Sequence, residues 1–309
     1  MRVVYFGSGD FGLPTVKALL DSDHELVAVV SQPDRRAGRG GKTRPTPISE
    51  FALDNSLTLL RPEKPNSTEF AEELSVLAPD LCVIVAYGHF IKKTLLAVPR
   101  RGFVNLHASI LPAYRGAAPV PWAILSGEKV SGATVFSLDE KFDTGGILGH
   151  VELPIENTDT SATYLAKLAP IGAGLVMRLL PGFLAGTLVP QAQDDGKASK
   201  APKFGKEDGK IDWTQPLHAI DCKARAFQPW PLAFTELPTA KGNVRINVLA
   251  LEAADPVLTG PPGRILAADA KSGLVIMTGD KAARVTRFQP EGKRPMTDTD
   301  YLRGSKVLI

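Results

Sequence analysis

Three apolar runs set the limits on this fold: "RVVYF" at residues 2–6, "ELVAVVS" at 25–31 and "DLCVIVA" at 80–86. None alternates polar with apolar residues, so none suits a sheet with one wet face. A strand that is apolar at consecutive positions is buried on both sides, the pattern of a parallel sheet covered by helices. Between the runs lie segments with helical spacing: "LPTVKALLDS", "PISEFALDNS" and "STEFAEELSVLA", the last opened by a Ser/Thr cap. This β-α-β alternation predicts an α/β fold with a Rossmann-like, mostly parallel, doubly wound sheet. "GFVNLH" adds a strand, and "GATVFSLD" and "ILGHVELPI" add two more joined by a turn. "SATYLAKLAPIGAGLVMRLLPGFLAG" reads as one or two helices, with Pro170 and Pro181 expected to kink or break them.

The pattern changes after residue 190. "LVPQAQDDGKASKAPKFGKEDGKIDW" is polar and rich in Lys, Gly and Ala, which reads as a linker. Beyond it "AFTEL", "VRINVLALEA", "GRILAADA", "LVIMTGD" and "ARVTRFQP" are short strands separated by turn residues. They predict a smaller all-β barrel of the OB type. The expected division is therefore 1–190 as a catalytic Rossmann-like domain, 191–210 as a linker and 211–309 as an OB-like domain. Charge follows the same division. Residues 196–309 carry 18 Lys and Arg against 12 Asp and Glu, a net +6. The preceding residues carry 18 against 21, a net −3. A basic second part points to an anionic partner, with a merely solvated basic face as the alternative.

Other features narrow the class. Cys82 and Cys222 are the only cysteines and make neither a metal-ligand spacing nor a disulfide framework. A reduced, cytoplasmic compartment is the default. No apolar run approaches the roughly 20 residues of a membrane span, and the N-terminus lacks the apolar stretch of a signal peptide. "FGSGDFG", residues 6–12, has the G-x-G-x-x-G spacing of a dinucleotide turn, and Asp34 stands about 20 residues on, where a ribose partner is expected. Taken alone it admits a nucleotide-dependent oxidoreductase. A tight turn against a helix explains the glycines equally well, and no second nucleotide signal follows.

The densest chemistry is "GFVNLHASILPAYRGAAP", residues 102–119. A buried strand ends in Asn105 and His107, which at i and i+2 project to one side. Ligands of parallel α/β sheets sit at this end of the strands. The following Gly- and Pro-bearing loop offers backbone groups to a planar ligand. Asp143, in the turn "FDTGG", is placed to hydrogen-bond His107, fixing its tautomer and raising its pKa. Asn, His and Asp together suit acyl transfer to an amine. The amide N–H stabilises the oxyanion of a tetrahedral intermediate, the imidazole handles the amine proton, and the carboxylate supports the imidazole. The competing reading makes Asn105 a turn cap and His107 a satisfied core histidine. The N-x-H spacing at a strand end, the adjoining loop and the later D-T-G turn favour the site. His24, His89, His150 and His218 show no convergent partners.

A third stretch, "QPDRRAGRGGKTRP", sets Arg35, Arg36, Arg39, Lys42 and Arg44 among three glycines and two prolines. Cations at this density on a permissive backbone suit phosphate contacts with a nucleic acid. Asp34 lies within it, which removes the support for a ribose site.

Together these stretches resemble the methionyl-tRNA formyltransferase family. The resemblance is carried in order by "QPDRRAGRGGK", "VIVAYG", "GFVNLHASILPAYRGAAP", "FDTGG", "GKEDGKIDW", "RAFQPWP" and "FQPEGKRPM", over nearly the whole chain. It implies transfer of a formyl group from 10-formyltetrahydrofolate to the α-amino group of methionyl initiator tRNA. Asn105, His107 and Asp143 would be catalytic. The folate would lie along Ser109, Ile110, Leu111 and Pro112, with Tyr87 and Gly88 nearby. Arg39 and Lys42 would contact the tRNA acceptor stem, with further phosphate contacts from Lys206 and the basic barrel. No metal, membrane or dinucleotide is expected. The alternatives are a sugar- or glycinamide-directed formyltransferase, which would not need the Arg/Gly loop, and a non-catalytic RNA-binding protein. The chain departs from the family pattern at Gly146 (often acidic), Pro121 (often polar) and Gly205 (usually Ser).

Overall fold

The computed structural model describes residues 1–36, 43–240, 242–255 and 257–309; Arg39 and Lys42 lie outside the described residues. The chain divides into two compact units. The first comprises Met1–Pro119, Val130–Pro154 and Leu165–Pro202; the second comprises Val120–Lys129, Ile155–Tyr164 and Lys203–Ile309.

The first unit is built on a seven-stranded sheet. Its strands are β1 (Arg2–Gly7), β2 (Glu25–Val30), β3 (Leu59–Leu60), β4 (Leu81–Val85), β5 (Phe103–His107), β6 (Val130–Ser137) and β7 (Ile147–Pro154). In space they run β7-β6-β5-β4-β1-β2-β3. The five strands from β5 to β3 are parallel, and the β6–β7 hairpin is antiparallel. Burial follows the sequence pattern: every residue of β4 is buried, whereas the outer strand β7 is largely exposed at alternate positions. The first helices are α1 (Leu13–Leu20), α2 (Pro47–Asp54), α3 (Thr68–Val76) and α4 (Lys93–Leu96). Thr46 and Ser67 cap α2 and α3, accepting from Ser49 N at 3.0 Å and Phe70 N at 3.2 Å. The rings of Phe6, Phe103 and Tyr87 meet in the core beside β1, β4 and β5, with centroids 5.3–5.4 Å apart.

Helix α5 is Pro119–Leu125, and α6 (Ser161–Leu184) is one continuous helix that contains both Pro170 and Pro181. The expected break does not occur. With 24 residues it is long and apolar enough to cross a membrane by length and composition, which the sequence pattern did not foresee. Its inward positions are spent on protein instead. Leu168, Val176 and Leu180 are buried, and Gly172 lets the helix close on β5, where a Cβ would lie 2.8 Å from Leu106.

The polar stretch from 191 makes definite contacts. Gln191 forms a β-bridge with Ile147, and Lys200–Ala201 pairs in parallel with Arg115–Gly116. The Arg115 guanidinium donates to Gln193 Oε1 and Asp195 Oδ1, both at 2.8 Å.

In the second unit β8 (Ala233–Thr239), β9 (Gly242–Ala253), β10 (Ile265–Asp269), β11 (Gly273–Met277) and β12 (Ala282–Pro290) form an antiparallel half-barrel in the order β8-β9-β12-β11-β10. A short sixth strand, β13 (Met296–Thr297), pairs with β12. Helices α7 (Leu217–Ala226) and α8 (Asp298–Gly304) complete the unit. Ile246 and Val248 of β9 and Val285 and Phe288 of β12 turn into its core, so Arg245, Asn247 and Gln289 face outward.

The opening glycines sit where the Rossmann pattern puts them, between β1 and α1, but their space is taken from within. The wholly buried Tyr5 ring lies under the turn, and its hydroxyl donates to Gly12 O at 3.0 Å. A Cβ at Gly7 would lie 2.6 Å from the ring, and one at Gly12 would fall on the hydroxyl. Burial pushes the Tyr5 phenol well above its usual pKa. Asp34 pairs with Arg61 at 2.7 Å. Gly7 and Gly12 are small because Tyr5 is large. Gly12→Ala should therefore cost about 1–3 kcal/mol by overpacking, and Tyr5→Phe about 1 kcal/mol for the lost hydrogen bond. In urea denaturation the double variant should cost less than the two together, because removing the hydroxyl clears the clash; strict additivity would show that Tyr5 does not impose the glycine.

Candidate active site

Strand β5 lies inside the sheet, so its C-terminal end opens between neighbours. Asn105 stands between Ile84 of β4 and Phe136 of β6, and His107 pairs with Thr134 of β6. Leu106 faces α6, which leaves Asn105 and His107 together on the other side. Asn105 is half-buried, and its side-chain amide has no hydrogen-bond partner among the described residues. His107 is 6% exposed. Its Nε2 lies 2.9 Å from Tyr114 O, and its Nδ1 lies 3.7 Å from Asp143 Oδ2. That second distance is an ion-pair distance and too long for the expected hydrogen bond. A carbonyl can only accept, so Nε2 carries hydrogen and Nδ1 is the nitrogen turned to the carboxylate.

Asp143 is fixed from three directions. Its carboxylate accepts from Gly116 N at 2.8 Å. Its carbonyl and that of Gly145 both accept from Gln193 Nε2, at 2.9 and 2.8 Å. Its own φ of +53° is left-handed, a conformation that an Asp tolerates better than most residues. The turn closes through Asp139, whose carboxylate accepts from Thr144 Oγ1 at 2.8 Å and Lys141 N at 2.9 Å. Gly146 has a local reason to be glycine, since a Cβ there would lie 2.6 Å from Pro190. Gln193, Tyr114 and Gly116 were not singled out by sequence. Gln193 lay in the presumed linker, and the other two act through their backbones.

The loop after β5 is braced by Thr134. Its hydroxyl donates to Ser109 O at 2.7 Å and accepts from Leu111 N at 3.0 Å. Ser109 is wholly buried and spends its hydroxyl on Ala113 O at 2.7 Å. Ser109 and the buried Leu111 therefore shape this loop, while Ile110 and Pro112 are half-buried on it. Tyr87 and Gly88 follow β4, the neighbouring parallel strand. The Tyr87 carbonyl accepts from Gln32 Nε2 at 2.7 Å. The Tyr87 hydroxyl is buried without a partner, and burial raises its pKa. Lys206 is exposed and belongs to the second unit. Of the remaining histidines, His89 sits beside the Tyr87 ring and His218 lies 3.7 Å from the buried Cys222 thiol. Among the described residues no group of His, Cys, Asp or Glu could hold a metal ion.

Thr134→Val keeps the shape and strands two buried backbone groups, so it should lower stability by about 2 kcal/mol. A urea midpoint equal to that of the parent would show that the loop does not depend on this hydroxyl.

Comparison with known proteins gives a consistent result. Residues 1–180 match the formyl transferase family model, and residues 203–306 match the formyl transferase C-terminal domain model. The chain is 40% identical over 306 residues to a methionyl-tRNA formyltransferase of Pseudomonas syringae pv. tomato, covering 99% of this chain and 95% of that one. It is 41% identical over 310 residues to one from Mycobacterium sp. strain KMS, covering 99% and 98%. Among solved structures it resembles HypX from Aquifex aeolicus in complex with tetrahydrofolic acid, with a TM-score of 0.66 and 18% identity. That match covers 99% of this chain and 48% of HypX, so the chain spans about half of HypX, and the likeness concerns the fold.

Proposed function

Because the chain belongs to the methionyl-tRNA formyltransferase family, we propose that it transfers the formyl group of 10-formyltetrahydrofolate to the free α-amino group of methionyl initiator tRNA. The observation that carries the site assignment is the cluster at the end of β5. It combines an unpartnered amide, Asn105, with an imidazole–carboxylate pair 3.7 Å apart, His107 and Asp143.

The folate fits the residues beside the cluster. Ile110 and Pro112 offer part-exposed apolar surface, and the Tyr87 hydroxyl is a buried polar atom without a partner. When bound, the folate supplies an electrophilic formyl carbon carried on nitrogen. Asn105 donates its side-chain N–H to the formyl oxygen, which gains negative charge as the amine attacks. His107 would take the amine proton on Nδ1, since Nε2 is engaged with Tyr114 O, and return it to the folate nitrogen as the bond from that nitrogen to the formyl carbon breaks and tetrahydrofolate leaves. Asp143 stabilises the imidazolium, and its fixed position orients the ring. The substrate amine is itself the nucleophile.

In this reading residues 1–190 are catalytic, 191–210 link, and 211–309 bind tRNA through their basic surface, with Lys206 on a phosphate. The segment carrying Arg39 and Lys42 contacts the acceptor stem. The relatives are bacterial enzymes named for a reaction on tRNA, which supports a cytoplasmic location.

The deciding experiment supplies the pure protein with formylfolate and charged initiator tRNA, with uncharged tRNA and charged elongator tRNA as controls. Formyl-methionyl-tRNA is the expected product; no product from an active folate preparation would refute the proposal. Asn105→Ala, His107→Ala and Asp143→Ala should each reduce kcat by about 100-fold or more with the fold intact. Rates near the parent's in all three would remove the site assignment. Arg39→Ala should raise the KM for tRNA and leave that for folate unchanged; unchanged tRNA kinetics at moderate salt would discard the role given to that loop.

A further inference from the structure

Of three segments that carry the family resemblance, "GKEDGKIDW", "RAFQPWP" and "FQPEGKRPM", only Lys206 of the first has been given a task so far, on a phosphate. In the second unit all three meet at one cleft of about 350 Å³. The first brings Lys206, the second Trp230 and Pro231, and the third Gln289, Pro290, Glu291 and Gly292. Strand β9 supplies Arg245 and Asn247 between them.

The chemistry of the cleft is specific. The Trp230 indole is 53% exposed, unusual for the largest aromatic side chain. The Arg245 guanidinium lies over the Phe234 ring, 3.5 Å from its centroid, which holds the cation in place. Neither Lys206 nor Arg245 has a carboxylate partner among the described residues. Asn247 and Gln289 are cross-strand neighbours on β9 and β12, both facing outward. The Gln289 amide donates to Lys293 O at 2.9 Å and so leaves its own carbonyl free, while the Asn247 amide is unpartnered among the described residues. Glu291 adds one acceptor at the rim.

Two unpaired cations, an exposed indole, a propped guanidinium and free amides together match one ligand class. They match a nucleotide with its base unpaired: stacking for the base, cations for the phosphate, and amides for the base edge. A solvated basic face explains the lysine but not the bare indole beside it. We propose that this cleft binds a single unpaired nucleotide of the tRNA, with its base on Trp230, its phosphate at Lys206 and Arg245, and its base edge read by Asn247, Gln289 and Glu291. This inference rests on tRNA being the substrate.

The test is steady-state formylation by the full-length enzyme, with charged initiator tRNA and formylfolate varied separately. Trp230→Leu should raise the KM for tRNA about tenfold, the range of one lost base stack, and leave the KM for formylfolate unchanged. Trp230→Phe, which keeps an aromatic face, should recover part of the loss. Asn247→Ala should raise the KM for tRNA without the change in salt dependence that Lys206→Ala brings. Circular dichroism and the melting temperature separate these effects from misfolding, and Asn247→Ala and Trp230→Phe carry the test if Trp230→Leu does not fold. A tRNA KM that responds to Lys206→Ala and Arg245→Ala but not to Trp230→Phe, Trp230→Leu or Asn247→Ala would overturn the proposal, leaving only a phosphate patch. A parent enzyme that does not formylate charged tRNA would overturn the functional reading itself; a parent that does, with unchanged KM in all the variants, would overturn the cleft alone.

Discussion

One backbone N–H, that of Gly116, holds the carboxylate on which the candidate site depends. The bond to Asp143 is 2.8 Å long, and it ties together chain segments remote in sequence. Gly116 itself is pressed against the Lys200–Ala201 ladder, where a Cβ would lie 2.7 Å from Ala201 O, and its φ of +129° suits glycine. The same polar stretch sends Gln193 to the Asp143 and Gly145 carbonyls. The carboxylate is thus presented to His107 by a glycine and a glutamine that take no part in proton transfer.

Much of the first unit was legible because burial on both faces leaves a plain mark. The unbroken apolar runs became parallel strands, and the alternating "ILGHVELPI" became the outer, antiparallel strand. The caps Thr46 and Ser67 lie where short polar residues precede apolar periodicity. Pro170 and Pro181 misled because a proline's local cost is set against tertiary packing: α6 buries Leu168, Val176 and Leu180, and Gly172 seats it on Leu106. The polar segment after 190 shows less of its structure in composition, for a related reason. Its contacts run through backbone ladders and amides, which composition does not display.

The site divides along the same line. Asn105 and His107 were readable because alternation along a strand fixes which side chains travel together. Asp143 was readable as a carboxylate in a glycine turn, yet its 3.7 Å separation from His107 was not, since that depends on Gly116 and Gln193. Ser109 and Leu111 were expected to lie along a folate, but a sequence does not say whether a hydroxyl faces a ligand or its own loop. Thr134, which satisfies that loop from β6, is one of several hydroxyls in the sequence, and only register distinguishes it.

The Tyr5 ring under the glycine turn bears on how such turns are read in other chains. A glycine fingerprint reports that something bulky approaches the backbone, without saying whether the bulk comes from outside or from the protein. Here the occupant is encoded two positions before the first glycine. In this chain the aromatic residue at that position marks a turn already filled by its own strand.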